Sequence, residues 1–294
     1  MPSTTNGTSS LTTALDRDGY VLIPSVLTSD VLTQLRAACQ RSIDLARSGQ
    51  WPFIRTLPKQ FPPWPADISH GIWGVQHLLH PSMPDHALFA SSYFAHTVVD
   101  PVTELLGVVP DELVMELYNL LIRPDADFAL RWHRDDIPPT ATAEEEMARL
   151  GRKAWHAQWN LALFDDCSLI VVPGSHKRAR TAEERAADPW DDNMPGQEIV
   201  RMQAGDVVFY NNNILHRGVY SKDRERMTLH GSMGVVGHGK ERARNVLQHG
   251  VEECVQECDF SGLGEGIRER AEGMRQRLVE MGRGNRDVGF AQED

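Results

Sequence analysis

Three short stretches of the chain hold residues that could act together on a metal ion. The first is Leu130-Arg131-Trp132-His133-Arg134-Asp135-Asp136. In an extended chain, side chains two apart share a face, so His133 and Asp135 can offer one imidazole nitrogen and one carboxylate oxygen to a single ion. That spacing alone is weak, because a surface ion pair has the same appearance. The second stretch runs from Gly205 through Val207-Val208-Phe209-Tyr210 and a polar loop to His216 and Gly218. Two imidazoles and one carboxylate on one face of an octahedron leave three positions open, which suits Fe(II) and oxygen chemistry. Zinc hydrolases also use two histidines and a carboxylate, but they need one open position and a nearby general base. The third stretch, Arg226-Met227-Thr228-Leu229-His230, alternates like a strand. Arg226 and Thr228 then share a face, and a guanidinium with a neighbouring hydroxyl can grip a carboxylate. Such a pair suits the far end of a dicarboxylic co-substrate whose near end chelates the metal. Taken alone, Arg226 reads as a surface residue of the charged stretch 222–226. Its place on a strand following His216 favours the anchor.

Positioning these residues calls for strands that cross over one another. Short apolar runs broken by turn signals occur at 112–122, 128–133, 155–164, 168–172, 198–202, 206–210, 213–220 and 226–236, and they predict an antiparallel sandwich or barrel. Asp18-Gly19-Tyr20-Val21-Leu22-Ile23-Pro24 predicts a turn and a further short strand. Residues 1–13 read as a flexible tail. Ser29 is the expected cap of a helix reaching about residue 47, and residues 86–107, 142–153 and 265–282 also carry helical spacing. Between Trp51 and Pro84, prolines alternate with Trp51, Phe53, Trp64 and Trp73, which predicts either a surface wrap or a lid over a pocket. The expected organisation is a single domain over 14–240, with a core at 110–236 and a helical C-terminal extension at 241–294.

Bulk properties narrow the function classes. The 294 residues carry 41 acidic and 30 basic side chains, a formal net charge of −11. Without a concentrated basic face, that balance argues against nucleic-acid binding. No apolar run approaches the roughly 20 residues that cross a bilayer. The N-terminus has no basic or apolar segment of a secretory signal, and Cys39, Cys167, Cys254 and Cys258 lack zinc or redox spacing. The expectation is a cytoplasmic protein acting on a small molecule, with its oligomeric state undetermined.

Taken in order, these segments resemble the phytanoyl-CoA dioxygenase family of Fe(II)/2-oxoglutarate oxygenases. Asp18 to Pro24 is similar to that family's start; Gln158-Trp159-Asn160-Leu161-Ala162-Leu163 and Leu169-Ile170-Val171-Val172-Pro173-Gly174-Ser175-His176 resemble its central strands and turn. The resemblance implies a mainly β fold with flanking helices around a double-stranded β-helix, the cupin-like jelly roll. It implies His133, Asp135 and His216 as iron ligands, and Arg226 with Thr228 for the far carboxylate of 2-oxoglutarate. Trp159 would pack against the co-substrate, with Asn119, Leu120 and Asn160 as further pocket residues. It implies consumption of O2 and 2-oxoglutarate, release of succinate and CO2, and hydroxylation of the substrate, while the acidic chain, with no basic cradle for a CoA thioester, favours a small metabolite. Asp135 would fill the coordination place that halogenating relatives leave for chloride. One departure stands out: Asp165-Asp166-Cys167-Ser168 replaces the Asn-Gly common before the central apolar strand. Two other readings of the residues stay open, a non-redox metal hydrolase or isomerase and a non-catalytic jelly-roll binding module. Among the remaining histidines, His176 reads as structural, His230 as either pocket or core, and His156 shares a face with Gln158. Arg55, Lys59, Arg123 and Arg131 are candidates to face an anionic group.

Overall fold

The computed structural model describes residues 10–153, 156–238, 242–243 and 252–285. Its core is two antiparallel sheets. The smaller one is ordered β5 (Phe128–Ala129), β10 (Leu215–Tyr220), β7 (Leu169–Val172), β8 (Glu198–Ile199). The larger has seven strands in the order β1 (Tyr20–Ile23), β9 (Val207–Tyr210), β6 (His156–Ala162), β11 (Met227–Val235), β4 (Leu113–Ile122), β3 (Ile72–Val75) and β2 (Ile54–Thr56). Consecutive strands such as β9 and β10 lie in different sheets, as a jelly roll requires, and this is the fold expected from the sequence.

The large sheet is covered on both faces, which explains why β4 is buried at every position. One face carries Leu120, Trp159, Leu229 and Met233, packed on apolar residues of α2 (Ser29–Arg47), α3 (His86–Tyr93) and α4 (His96–Leu106). Met274 and Leu278 of the C-terminal helix Glu265–Gly284 share that core. The other face carries Thr228, His230, Asn160 and Gln158, and it looks toward the small sheet. Because β-strand side chains alternate, this polar set and the apolar set interleave along the same strands.

Several expected boundaries differ. α1 (Leu11–Asp18) begins within the stretch 1–13 read as a tail; Ser10 caps it, and the Leu11 amide donates to Glu104 Oε1 at 2.9 Å. Residues 1–9 of that tail lie outside the described residues. Thr28, not Ser29, caps α2, because its hydroxyl accepts from the Val31 amide. The helical stretch 86–107 is two helices, broken near Phe94. The 128–133 run is a strand only at Phe128–Ala129, with an isolated antiparallel bridge at His133. Residues 51–84 contain two strands that extend the large sheet, hidden in the sequence by their prolines, and Ile54, Ile72 and Val75 bury there. Thr142–Leu150 holds α5 (Ala143–Leu150), capped by Thr142. In the C-terminal extension, residues 241, 244–251 and 286–294 are outside the described set. Among the described residues, no helix is long and apolar enough to cross a membrane.

Candidate active site

His133 and His216 face each other across a two-bond bridge. The His133 amide donates to the His216 carbonyl at 3.0 Å, and the His216 amide returns the bond at 3.1 Å. Directly paired antiparallel residues project to the same side, so the two rings meet with centroids 4.3 Å apart. Each ring is oriented by its own backbone. His133 Nδ1 lies 2.8 Å from the Arg131 carbonyl, and His216 Nδ1 lies 2.9 Å from the Ile214 carbonyl. A carbonyl only accepts, so both Nδ1 atoms carry the proton and both Nε2 lone pairs are free for an ion. The Nε2 atoms point at Asp135 Oδ1, 3.4 Å from His133 and 3.7 Å from His216.

Asp135 is not on a continuous strand as the H-x-D spacing predicted. It sits in a turn fixed by its amide bond to the Asn212 carbonyl at 2.9 Å. Gln158, on β6, donates Nε2 to the other carboxylate oxygen, Oδ2, at 3.0 Å. Between the two residues, Arg134 points away and is fully buried, donating to the carbonyls of Ser175 at 2.9 Å and Asn213 at 2.6 Å. The three side chains thus bring one ligand atom each within 4.8 Å of one another. Burial, then the neighbouring His133, pushes the His216 pKa down to about 4. Burial pushes Asp135 up, but His216 and His133 outweigh it and hold the carboxyl well below its ordinary range. Neutral imidazoles beside an ionised carboxylate are the donor set that a divalent transition metal needs.

The cluster opens into a cavity of about 310 Å3 between the sheets, lined by Gln158, Asn160, Tyr210, Tyr220, Arg226 and His230 among others. Phe61, Pro62 and Trp64 of the proline-rich region also line it, and Arg149 and Arg152 lie along it near α5. His230 Nδ1 meets Asn160 Oδ1 at 2.9 Å, and burial together with Arg55 lowers its pKa to about 3. Asp136 also lines the cavity, bonded by Asn212, with its pKa raised by burial and by Asp135.

Arg226 and Thr228 share the cavity end of β11, but both already hold a protein carboxylate. Arg226 Nε donates to Asp166 Oδ2 at 3.1 Å, and the Thr228 hydroxyl donates to the same oxygen at 2.6 Å. Burial pushes the Asp166 carboxyl up, yet Arg226 and the hydrogen bonds from Ser168 bring it down to about 2, so it is ionised. Arg226 Nη1 is buried without a hydrogen-bond partner among the described residues.

Of the sequence-derived pocket residues, Arg226 and Asn160 line the cavity; Thr228 and Asn119 share its face of the sheet without being among its walls, and Trp159 and Leu120 point away from it. Trp159 packs on the helix side against Tyr93 at 5.5 Å and Phe209 at 5.8 Å. Leu120 is in the same core. Both fail for one reason: neighbours on a strand point oppositely, so Asn160 and Asn119 face inward while Trp159 and Leu120 face outward. Asn119 is on the inward face, but its Oδ1 accepts from the His77 amide at 3.1 Å. His176 ties α1 to the sheets through the Asp16 carbonyl at 3.0 Å. His156 is buried and accepts from Arg242 at 2.7 Å. Of the basic candidates, Arg55 lines the cavity, while Lys59, Arg123 and Arg131 are not among its walls. Sequence reasoning missed Gln158, Asp166 and Asp136 as site residues. The H-x-Q-x-N alternation of β6 was the one signal for Gln158.

A family model described as "Phytanoyl-CoA dioxygenase (PhyH)" matches residues 15–224. Among solved structures, the chain is similar to EctD from S. alaskensis with 2-oxoglutarate and 5-hydroxyectoine: 20% identity, 80% of this chain and 79% of that one, TM-score 0.56. It is similar to HygX from Streptomyces hygroscopicus with nickel and 2-oxoglutarate: 17% identity, 76% and 85% coverage, TM-score 0.54. It is also similar to the non-heme alpha ketoglutarate dependent epimerase SnoN from nogalamycin biosynthesis: 19% identity, 77% and 80% coverage, TM-score 0.52. At these identities the likeness establishes the fold. No curated protein matches the chain in sequence.

Proposed function

The chain belongs to the phytanoyl-CoA dioxygenase family, and on that premise we propose that it is an Fe(II)- and 2-oxoglutarate-dependent dioxygenase that oxidises a small organic molecule. The observation that carries this reading is the convergence of His133, Asp135 and His216, with both imidazoles locked in the tautomer that frees Nε2. That 2-oxoglutarate is bound in EctD and HygX, on this fold, supports the same co-substrate here.

His133, Asp135 and His216 would hold the iron; Arg226 would face the far carboxylate of the keto acid, with Thr228 and Asp166 fixing its orientation. When bound, the ferrous ion activates O2 at the expense of 2-oxoglutarate, which leaves as succinate and CO2, so that an oxygen atom reaches the substrate. The chain's own residues set the conditions. The backbone bridge fixes the spacing of the imidazoles, and Gln158, by holding Asp135 Oδ2, would turn Oδ1 toward a bound ion. Phe61, Pro62 and Trp64 wall the cavity and keep bulk water from the reacting carbon. A cavity of about 310 Å3 suits a small metabolite. None of the four cysteines is joined in a disulfide among the described residues, which supports a reducing compartment and hence the cytoplasm.

Anaerobic titration with Fe(II) and 2-oxoglutarate tests the assignment. The expected result is a weak visible charge-transfer band that is absent in His133→Ala and His216→Ala. A folded, metal-loaded protein with no band overturns the oxygenase reading.

A further inference from the structure

Arg55 is a buried cation with no anion beside it among the described residues. It lies on β2 opposite Gly74, which pairs with Leu121, which in turn pairs with Thr228. Directly paired residues project to one side of a sheet, so Arg55 and Thr228 belong to one row on the cavity face. The Arg55 stem lies flat over Gly74, where an added Cβ would come within 2.9 Å of Arg55 Cδ. Its guanidinium lies against the corner made by two edge-to-face indoles, 4.9 Å from the Trp64 ring and 5.2 Å from the Trp73 ring. The residue is 7% exposed, lines the cavity, and its Nε has no hydrogen-bond partner. No carboxylate among the described residues pairs with it. Burial lowers its pKa only to about 10, so it stays charged at neutral pH.

An unpaired buried charge is costly, and proteins keep one where a ligand supplies the counter-charge. Arg226 cannot be the whole answer, because Asp166 already neutralises it. A divalent ion, the Asp135 carboxylate and a doubly charged keto acid sum to one net negative charge. The Arg226–Asp166 pair adds nothing to that sum, whereas Arg55 brings it to zero.

We propose that Arg55 is a second cationic anchor for the far carboxylate of the keto diacid, supplying the charge that Asp166 takes from Arg226. The proposal rests on the co-substrate reading above. Trp64 and Trp73, set edge to face, hold the guanidinium from one side by cation–π attraction without using its N–H donors, which stay available to a carboxylate.

The two residues are therefore coupled, and a double-mutant cycle reads the coupling. The keto-acid dissociation constant is measured on Mn(II)-loaded protein by quenching of tryptophan fluorescence, and on Fe(II)-loaded protein by the visible band. Arg55→Gln is expected to weaken 2-oxoglutarate by about tenfold or more, the scale of a lost charge-assisted contact, while Arg55→Lys keeps part of the affinity. Asp166→Asn can still accept from the Ser168 amide, as Asp166 Oδ1 does at 2.7 Å, but releases the Arg226 charge. In that background the Arg55→Gln penalty is expected to shrink severalfold. Unchanged affinity in Arg55→Gln, with metal binding intact, overturns the proposal, and so does an equal penalty in both backgrounds. Wild-type protein that binds no 2-oxoglutarate overturns the oxygenase reading together with it; wild-type binding with an indifferent Arg55 overturns this inference alone.

Discussion

Gln158→Leu isolates the contribution of a residue that touches the ligand set without belonging to it. Gln158 donates to Asp135 Oδ2 at 3.0 Å, and Oδ1 of the same carboxylate faces the two imidazole Nε2 atoms. Leucine keeps the bulk and removes the donor. Gln158 is only 7% exposed, so water has little room to take its place. A hydrogen bond to a charged group contributes about 1.5–3 kcal/mol. At about 1.4 kcal/mol per decade, that is roughly 10- to 150-fold, in line with about 10- to 100-fold for outer-shell partners of metal ligands. Released from Gln158, the carboxylate can rotate about χ2 and present both oxygens or neither. The expected outcome is a 10- to 100-fold weaker Mn(II) or Fe(II) affinity by anaerobic calorimetry, with an unchanged circular dichroism spectrum. Metal affinity within about threefold of wild type in a folded variant would show that the backbone bond from the Asp135 amide to Asn212 orients the carboxylate unaided.

Other perturbations address the scaffold. Arg242→Met should destabilise the protein by about 3–5 kcal/mol, because it strands the buried Glu116 carboxylate that Arg242 holds; urea unfolding measures it, and adding Glu116→Gln should recover much of the loss. Gly231→Ala should cost about 1–3 kcal/mol by overpacking, since its Cβ would come within 2.3 Å of Trp159 Cζ2 in a core that cannot yield; a shift in Tm of under a degree would contradict that. Burial holds His216 at about 4 and His230 at about 3, whereas the unfolded chain takes up these protons near pH 6.5. The unfolded state binds more protons in that window, so metal-free protein should lose stability as pH falls from about 6.5 toward about 3. His230→Asn should flatten the decline measured by thermal unfolding.

The legible part of the fold was its local part. Strands such as Met227–Val235 announce themselves by alternation, and α2 and the C-terminal helix by helical spacing. The strands Ile54–Thr56 and Ile72–Val75 were masked by surrounding prolines, because β2 pairs with β3, and β3 joins the sheet through β4, farther along the chain. The ligand set was legible because its residue types are chemically selective. The pocket wall was only half legible: Asn160 reaches the cavity and Trp159 does not, although one step of strand parity separates them. A resemblance assigns residues by motif, whereas alternation allows one of two adjacent strand residues to face a given side.

What no local pattern reveals is the pairing of charges across sheets. Asp166 reads in sequence as part of an acidic turn, and only the fold sets it against Arg226 and Thr228. Glu116 and Arg242, at opposite ends of the core sequence, meet only when the C-terminal segment folds back beside β4. In both cases burial gives the contact its consequence, since an exposed pair would contribute little. The metal cluster follows a different logic. Its geometry is set first by backbone hydrogen bonds, the His133–His216 bridge and the Asp135 amide, and side chains then choose tautomer and rotamer. Substitutions in the cavity should therefore change which molecules bind there while leaving the spacing of the two imidazoles intact, because that spacing belongs to the sheet.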